Sequence, residues 1–188
     1  MGDHLDGQLT DNELVSRAQK GDNDAFGELV RRYESLVAGT VIGMLGKCPE
    51  ADDVGQETFI RLYRSLKTFR GESKLGTYLT RIAINLSLNE LKRRKRRKGL
   101  FFSKPVEEIR GIANPRADAG TDEDKEVVHR AIGQLEARFR SVVVLRLIDG
   151  YSTEETAKIL KIPVGTALSR LSRAQQKLKE LLTPYYGA

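Results

Sequence analysis

Apolar residues recur every three or four positions through most of this 188-residue chain, the spacing that collects them on one face of an α-helix. The strict alternation that is typical of half-buried strands is almost absent from the sequence. Thr10, then Asp22 or Asn23, and Pro49 stand where capping residues and first-turn prolines start helices. The sequence therefore predicts an all-α fold.

One stretch, residues 99–122, lacks any helical period and is typical of a flexible linker. Its glycines and prolines are Gly99, Pro105, Gly111, Pro115 and Gly120. We therefore expect two small helical domains, residues 10–98 and residues 123–183. A disordered tail at 1–9 and a short tail at 184–188 complete the chain.

The charge of the chain is segregated. Its net charge is +6, but residues 89–98 alone hold seven basic and one acidic side chain. Residues 127–188 are also basic, and residues 99–126 between them are acidic. Two separated basic blocks favour phosphate binding, because each neutralised phosphate releases condensed counterions. For the tract 92–98 taken alone, the alternative to phosphate binding is a run of charged side chains that water solvates.

The C-terminal segment predicts a helix-turn-helix. Ser152 and Glu155 form a capping box, and Pro163 follows a short turn and opens the last helix. On this helix the apolar positions Val164, Ala167, Leu171, Ala174, Leu178 and Leu181 form one stripe. The opposite face and its flanks hold hydroxyls, an amide and cations, which suit the major groove of DNA. An ordinary exposed helix face is the alternative interpretation.

A second polar face lies on the helix that leads into the basic tract. Arg81, Asn85, Asn89, Lys92 and Arg96 share this face by their spacing. Asparagine within a helix costs up to about 0.7 kcal/mol relative to alanine, and reading base edges would justify that cost. Alternatively, the two amides bond a neighbouring helix.

The sequence argues against an enzyme. Cys48 is the single cysteine, which excludes an internal disulfide, a zinc cluster and a CxxC motif. His4 and His129 have no partner at metal-ligand spacing, and no glycine-rich phosphate loop is present. We expect no catalytic residue, metal or cofactor. The sequence also lacks a membrane-spanning stretch and a secretory signal, which predicts a cytoplasmic protein without membrane insertion.

Several segments together resemble the bacterial RNA polymerase sigma factors of the extracytoplasmic-function group. The resemblance covers residues 10–97 and 123–182. The segments that carry it are 51–59 (ADDVGQETF), 69–73 (FRGES), 78–85 (YLTRIAIN), 150–152 (GYS) and 162–174 (IPVGTALSRLSRA). It implies a protein with sigma domains two and four that binds core polymerase, recognises the minus-ten and minus-thirty-five promoter elements and nucleates promoter melting.

The resemblance also implies partners and site residues. The third helix would dock on the clamp helices of the largest polymerase subunit, and the flap of the second subunit is a further contact. An anti-sigma factor and a role in stress responses are implied as well. The resemblance assigns polymerase docking to Asp52, Asp53, Gln56 and Glu57. It implies that a base flipped out of the DNA is held at the loop 71–74. It assigns binding of the minus-ten element to Gly71, Glu72, Ser73, Lys74, Tyr78, Arg81, Asn85, Asn89, Lys92, Arg93 and Arg96. It assigns binding of the minus-thirty-five element to Thr166, Ser169, Arg170, Arg173, Gln176 and Lys177.

Four positions depart from the family pattern. Tyr78 stands in place of tryptophan, Leu168 in place of a basic residue and Lys161 in place of a turn glycine, while Gly55 lies inside the docking helix.

Two other functions stay open at this point. A dimeric helix-turn-helix regulator would leave the first 98 residues without a task, and a sigma-like decoy would not need two basic faces. The oligomeric state in solution separates the regulator from a sigma factor.

Overall fold

The computed structural model describes residues 9–100 and 122–187, with side chains from 9–97 and 123–187. Every regular element within these ranges is helical, which confirms the all-α prediction. A 3₁₀ turn, Leu66–Thr68, extends α3, and a π-helical turn, Val144–Ile148, extends α6. The helices are α1 (Asp11–Gln19), α2 (Asn23–Leu45), α3 (Pro49–Ser65), α4 (Leu75–Leu100), α5 (Asp122–Gln134), α6 (Ala137–Val143), α7 (Thr153–Leu160) and α8 (Val164–Tyr186).

Local signals in the sequence account for most helix starts. Thr10 and Glu13 form a reciprocal capping box at α1, and the Asp22 carboxylate accepts a hydrogen bond from the Ala25 amide at 3.0 Å at α2. Ser152 and Glu155 form the predicted box at α7. These contacts satisfy backbone donors that have no partner inside the helix.

The first domain consists of α1 to α4, with α2 in contact with the other three helices. Its core is aliphatic, and Leu29, Leu62, Leu79 and Ile84 are fully buried. The second domain consists of α5 to α8 and has a smaller core around Phe139 and Ala174. This arrangement leaves one long side of α4 and one of α8 open to solvent.

The two domains pack against each other in the described structure. Val144, Leu145 and Ile159 of the second domain belong to the same buried cluster as the core of the first. The contacts run from the π-helical turn to α2 and from α7 to α4. No local pattern in the sequence predicts this packing.

The last helix departs from its prediction in two ways. It continues through Pro184 to Tyr186, into the segment predicted as a short tail, because the exposed final turn tolerates the missing amide hydrogen bond. Val164, predicted to lie on the core stripe, is 41% exposed, because the helix has only just begun there and no element covers it.

Some predictions fall outside the described residues. The tail 1–8 with His4, Ala188 and the greater part of the expected linker, residues 101–121, are among them. At the edges of the linker, α4 includes residues 99 and 100, and α5 begins at Asp122. No helix within the described ranges is long and apolar enough to cross a bilayer.

Candidate nucleic-acid interface

The exposed face of α4 carries the predicted amides and cations. Asn85, Asn89, Lys92 and Arg96 are all exposed, while Leu86, Ser87 and Glu90 on the other side of the helix are buried. Exposure of both amides argues against the alternative in which they bond a neighbouring helix. The face presents side chains that can donate to base edges and, one to two turns later, cations that can contact phosphates.

The basic tract is not uniform. Arg94 turns towards the first domain, where its guanidinium lies 3.3 Å from Glu90, 3.3 Å from Glu50 and 2.9 Å from the Cys48 sulfur. Arg93 pairs with Glu90 at 2.7 Å but stays more than half exposed. Glu90 is almost fully buried, and a buried carboxylate requires such partners. Sequence reasoning missed this role of Arg94, although Glu90 four residues earlier was a usable signal.

A cleft of about 490 Å³ lies where the loop 69–74 meets α4. Phe69 and Tyr78 form an aromatic wall with ring centroids 5.0 Å apart, and the Tyr78 hydroxyl donates to Ser65 at 2.9 Å. The guanidinium of Arg81 lies 5.9 Å from the Tyr78 ring, and its Nε is buried without a partner. The full lining is Thr68, Phe69, Arg70, Glu72, Ser73, Tyr78 and Arg81.

The chemistry of this cleft suits a planar heteroaromatic ring. Aromatic side chains offer stacking surface, and the carboxylate, hydroxyl and guanidinium groups of Glu72, Ser73 and Arg81 can bond the edge of a base. Phe69 was not among the predicted site residues, although its position next to the loop pointed to it.

Two predicted loop residues lie on the other side of the loop. Gly71 and Lys74 line a separate cleft of about 420 Å³, which Ser73 also borders. Gly71 has a φ of +71°, a conformation that favours glycine and turns the loop between the two clefts.

The outer face of α8 exposes Ser169, Arg173 and Gln176, with Thr166 and Arg170 half-buried at its edges. Leu168 is 53% exposed on the same part of the helix, so it can reach the methyl group of a thymine.

Lys177 behaves differently from the rest of that predicted set. Its ammonium lies 3.3 Å from Glu136 and 5.0 Å from the centre of the Phe139 ring, so it ties α8 to α6. The hydrogen bond from Lys177 is the main cause that lowers the pKa of Glu136.

The outer face of α3 combines acidic and apolar side chains. Asp52, Asp53 and Gln56 are exposed, and Glu57 pairs with Arg61 at 2.9 Å. Next to them, Ile60 and Tyr63 are 44% and 54% exposed. Carboxylates repel phosphates, and exposed apolar groups mark protein contacts, so this face suits a protein partner. Sequence reasoning missed Ile60 and Tyr63, although spacings of four and three residues place them with Gln56.

The remaining candidates form no chemical centre. Cys48 is half-buried beside Arg94, and His129 lies on α5 at the edge of a cleft between the domains. Within the described ranges, no group of three His, Cys, Asp or Glu side chains is placed to hold a metal ion.

Comparison with known proteins gives a consistent result. The family model described as Sigma-70 region 2 matches residues 29–97, and that described as Sigma-70, region 4 matches residues 125–178. The RNA polymerase sigma-H factor of Pseudomonas aeruginosa is 37% identical over 185 residues, which cover 94% of this chain and 96% of that protein. The ECF RNA polymerase sigma-E factor of Escherichia coli K12 is 39% identical over 187 residues, with the same coverage.

A solved structure shares the fold. The sigma factor RpoE of Bartonella quintana, in complex with the anti-sigma factor NepR, superposes with a TM-score of 0.68 at 26% identity. The superposition covers 84% of this chain and 96% of that one.

Proposed function

Since this chain belongs to the sigma-70 family of RNA polymerase sigma factors, in its extracytoplasmic-function group, we propose how its surfaces divide promoter recognition. As a member of this non-enzymatic family it binds core RNA polymerase and promoter DNA and acts in transcription initiation. A dimeric regulator does not account for the region 2 match over residues 29–97. We assign residues 10–98 to sigma domain two and residues 123–183 to sigma domain four.

Domain two reads the minus-ten element through α4 and the adjoining loop. The observation that carries this assignment is the cleft walled by Phe69, Tyr78 and Arg81 at the start of a helix whose exposed face continues into cations. A base extruded from the duplex stacks against the aromatic wall, and Arg81 offers donors to its edge. Holding that base offsets part of the cost of opening the first base pair, which nucleates melting. Gly71 and Lys74, which also belong to the predicted minus-ten set, contact the DNA from the other side of the loop. Arg93 contacts the DNA while it stays paired with Glu90.

Domain four reads the minus-thirty-five element through α8. Arg173 is the exposed cation at the centre of the face and is suited to a bidentate contact with guanine. Thr166, Ser169, Arg170 and Gln176 supply the surrounding polar contacts. Lys177 positions the helix against α6 instead of reading a base.

The acidic and apolar face of α3 docks on the polymerase, at the clamp helices of the largest subunit. Asp52, Asp53, Gln56 and Glu57 provide the polar contacts, with Ile60 and Tyr63 as apolar anchors. The flap of the second subunit meets domain four. We place this activity in the bacterial cytoplasm. We also propose an anti-sigma partner, since the similar RpoE was solved bound to one.

Substitution of Tyr78 tests the cleft. With purified core polymerase and a cognate promoter, Tyr78→Ala should lower open-complex formation by about tenfold, because stacking one base contributes roughly 1–3 kcal/mol. Tyr78→Trp should retain activity because it keeps the stacking surface.

Tyr78→Phe is the matched control, since it keeps the ring and removes only the hydrogen bond to Ser65. Permanganate reactivity of unpaired thymines reports the opening. Normal opening with Tyr78→Ala would contradict the assignment of the cleft.

A further inference from the structure

We propose that Leu168 selects a thymine in the minus-thirty-five element by packing against the C5 methyl group of that base. The inference rests on the proposed function, because it takes α8 as the helix that enters the major groove. It adds a source of specificity that the hydroxyl, amide and cationic side chains of the helix do not supply. The thymine methyl is the one methyl group that base edges present in that groove.

Leu168 is held on the outer side of α8 by its neighbours in the core. Ala167 and Ala174 are fully buried, and α8 packs against α5, α6 and α7. Successive residues of a helix point about 100° apart, so the burial of Ala167 turns Leu168 away from the core. The side chain of Leu168 is 53% exposed as a result. The helix cannot roll Leu168 inwards unless it exposes both alanines.

Leu168 stands above short neighbours. Residues three and four positions apart are neighbours on a helix surface, and those next to Leu168 on its exposed side are Gly165 and Ser172. Ser169 is also exposed, but its hydroxyl donates to the Thr166 carbonyl at 3.1 Å, which holds this short side chain against the helix. A leucine with such neighbours reaches further out than they do and meets a base edge first.

A shallow apolar notch lies beside Leu168 on the first turns of α8. Val164, one turn earlier, is 41% exposed, and open space lies where Gly165, between them, would carry a Cβ. Leucine side chains on helices lean towards the helix N-terminus, so Leu168 leans over this space. A methyl group that enters the notch contacts Leu168 and Val164 together. The base contacts of a helix-turn-helix come from the N-terminal residues of its second helix, which is where the notch lies.

The surroundings of Leu168 favour a base over a protein partner or a phosphate. The centre of a protein interface buries clustered apolar side chains, whereas Ser169, Ser172 and Gln175 around Leu168 are polar and exposed. A phosphate contact requires a donor or a cation, and leucine has neither. Contact with a thymine methyl removes apolar surface from water on both sides, and cytosine lacks that methyl group. Leu168 therefore discriminates thymine from the other pyrimidine.

Removal of one methyl group from the promoter tests the role of Leu168 in the holoenzyme. Wild-type holoenzyme first selects a promoter from duplexes randomised over the minus-thirty-five element. Each selected thymine is then replaced by deoxyuridine, which lacks only the methyl group. One of these replacements should weaken binding by about fourfold, since the burial of one methyl-sized group contributes on that scale. Selection without an enriched thymine, or equal binding of every deoxyuridine promoter, would overturn the proposal.

Variants of Leu168 connect that loss to the side chain. Leu168→Ala should bind the thymine promoter about as weakly as the wild type binds the deoxyuridine promoter, and the two promoters should then bind alike. Leu168→Met keeps an apolar side chain of similar volume and should retain the difference. Gln175→Ala, on the same side of α8 two turns further on, is the matched control and should also retain it. A difference that persists in Leu168→Ala would assign the methyl contact to another residue and overturn the proposal.

Failure of the proposed function would give a different result. Wild-type holoenzyme that selects no minus-thirty-five sequence at all would refute the reading role of α8. A selected element whose recognition is lost in Arg173→Ala, but which binds equally with thymine and deoxyuridine, would leave that role intact and refute only the role of Leu168.

Discussion

Lys161 has a left-handed backbone conformation between the two helices of the helix-turn-helix. Its φ is +54° and its ψ is +49°, and it is the only non-glycine residue with positive φ in the described ranges. Such a conformation costs a side chain with a Cβ roughly 1–2 kcal/mol. Lys161 stands in place of the turn glycine of the family pattern, and the positive φ explains why glycine suits this position.

Replacing Lys161 should stabilise the protein. Lys161→Gly removes the steric cost, and the greater freedom of glycine in the unfolded chain offsets part of it, so we expect a gain of about 0.5–1 kcal/mol in the free energy of unfolding. Denaturant titration measures the change. Lys158→Gly, inside α7, is the control and should destabilise by about 1 kcal/mol. A loss of stability from Lys161→Gly would contradict the strain.

Arg173 and Lys177 lie one turn apart on α8 but have different surroundings. Arg173 is exposed, whereas Lys177 is bonded to Glu136. Arg173→Ala should weaken promoter binding by about 1–3 kcal/mol and relax base preference in the minus-thirty-five element. Lys177→Ala should leave base preference intact. Binding to a panel of single-base promoter variants measures both, and unchanged preference in Arg173→Ala would remove its reading role.

At the scale of elements, α4 combines two functions in one basic run. Its exposed cations Lys92, Lys95 and Arg96 face solvent, while Arg94 supports the buried Glu90. A charge count does not separate them, because it ignores the pairing of Arg94 with Glu90 four residues earlier.

Neutralising the solvent-facing cations should change DNA binding, whereas neutralising Arg94 should change the stability of the first domain. Lys92→Gln with Arg96→Gln should reduce the slope of log binding constant against log salt by about 0.9 for each lost phosphate contact, with stability unchanged. Arg94→Gln should destabilise the first domain by about 2 kcal/mol or more, because Glu90 loses a partner. Salt titrations and thermal unfolding measure the two effects. An unchanged slope in the double variant would mean that the tract is only solvated.

The outer face of α3 should control polymerase binding. Asp53→Arg reverses an exposed charge beside the apolar Ile60 and Tyr63, so it should abolish co-purification with core polymerase while the helical content stays normal. Glu34→Arg, an equally exposed charge reversal on α2, is the control. Normal association of Asp53→Arg would defeat the docking assignment.

At the scale of the whole molecule, the packing of the two domains against each other should depend on pH through Asp149. Burial raises the pKa of this carboxyl to about 6, and the hydrogen bond from Thr40 lowers it only in part. A raised pKa means that the arrangement with packed domains favours the protonated carboxyl. Its contribution to the packing of the domains is therefore full below about pH 4 and is lost as pH rises through about 6.

Energy transfer between dyes on the two domains can follow this equilibrium. The fraction of chains with packed domains should rise as pH falls from 7 to 5.5. In Asp149→Asn the domains should stay packed at pH 7 with little pH dependence. A packed fraction that rises with pH, or an unchanged pH profile in Asp149→Asn, would contradict the role of Asp149 in domain packing.

The sequence by itself determined the helices, their caps and the side chains that share a face. These features depend on residues within about four positions of one another, as in the capping box at Ser152 and the exposed amides at Asn85 and Asn89. The same short-range signals carried the family resemblance and with it the function.

Only the tertiary structure decided which cations are free, where the cleft at Tyr78 forms and how the domains meet. Arg94 reaches Leu45 across 49 positions, and Thr40 meets Asp149 across 109. Helical periodicity places a side chain on a face but does not say which distant face it packs against. That choice is made by the summed burial and hydrogen bonding of the folded chain, and a local pattern does not contain it.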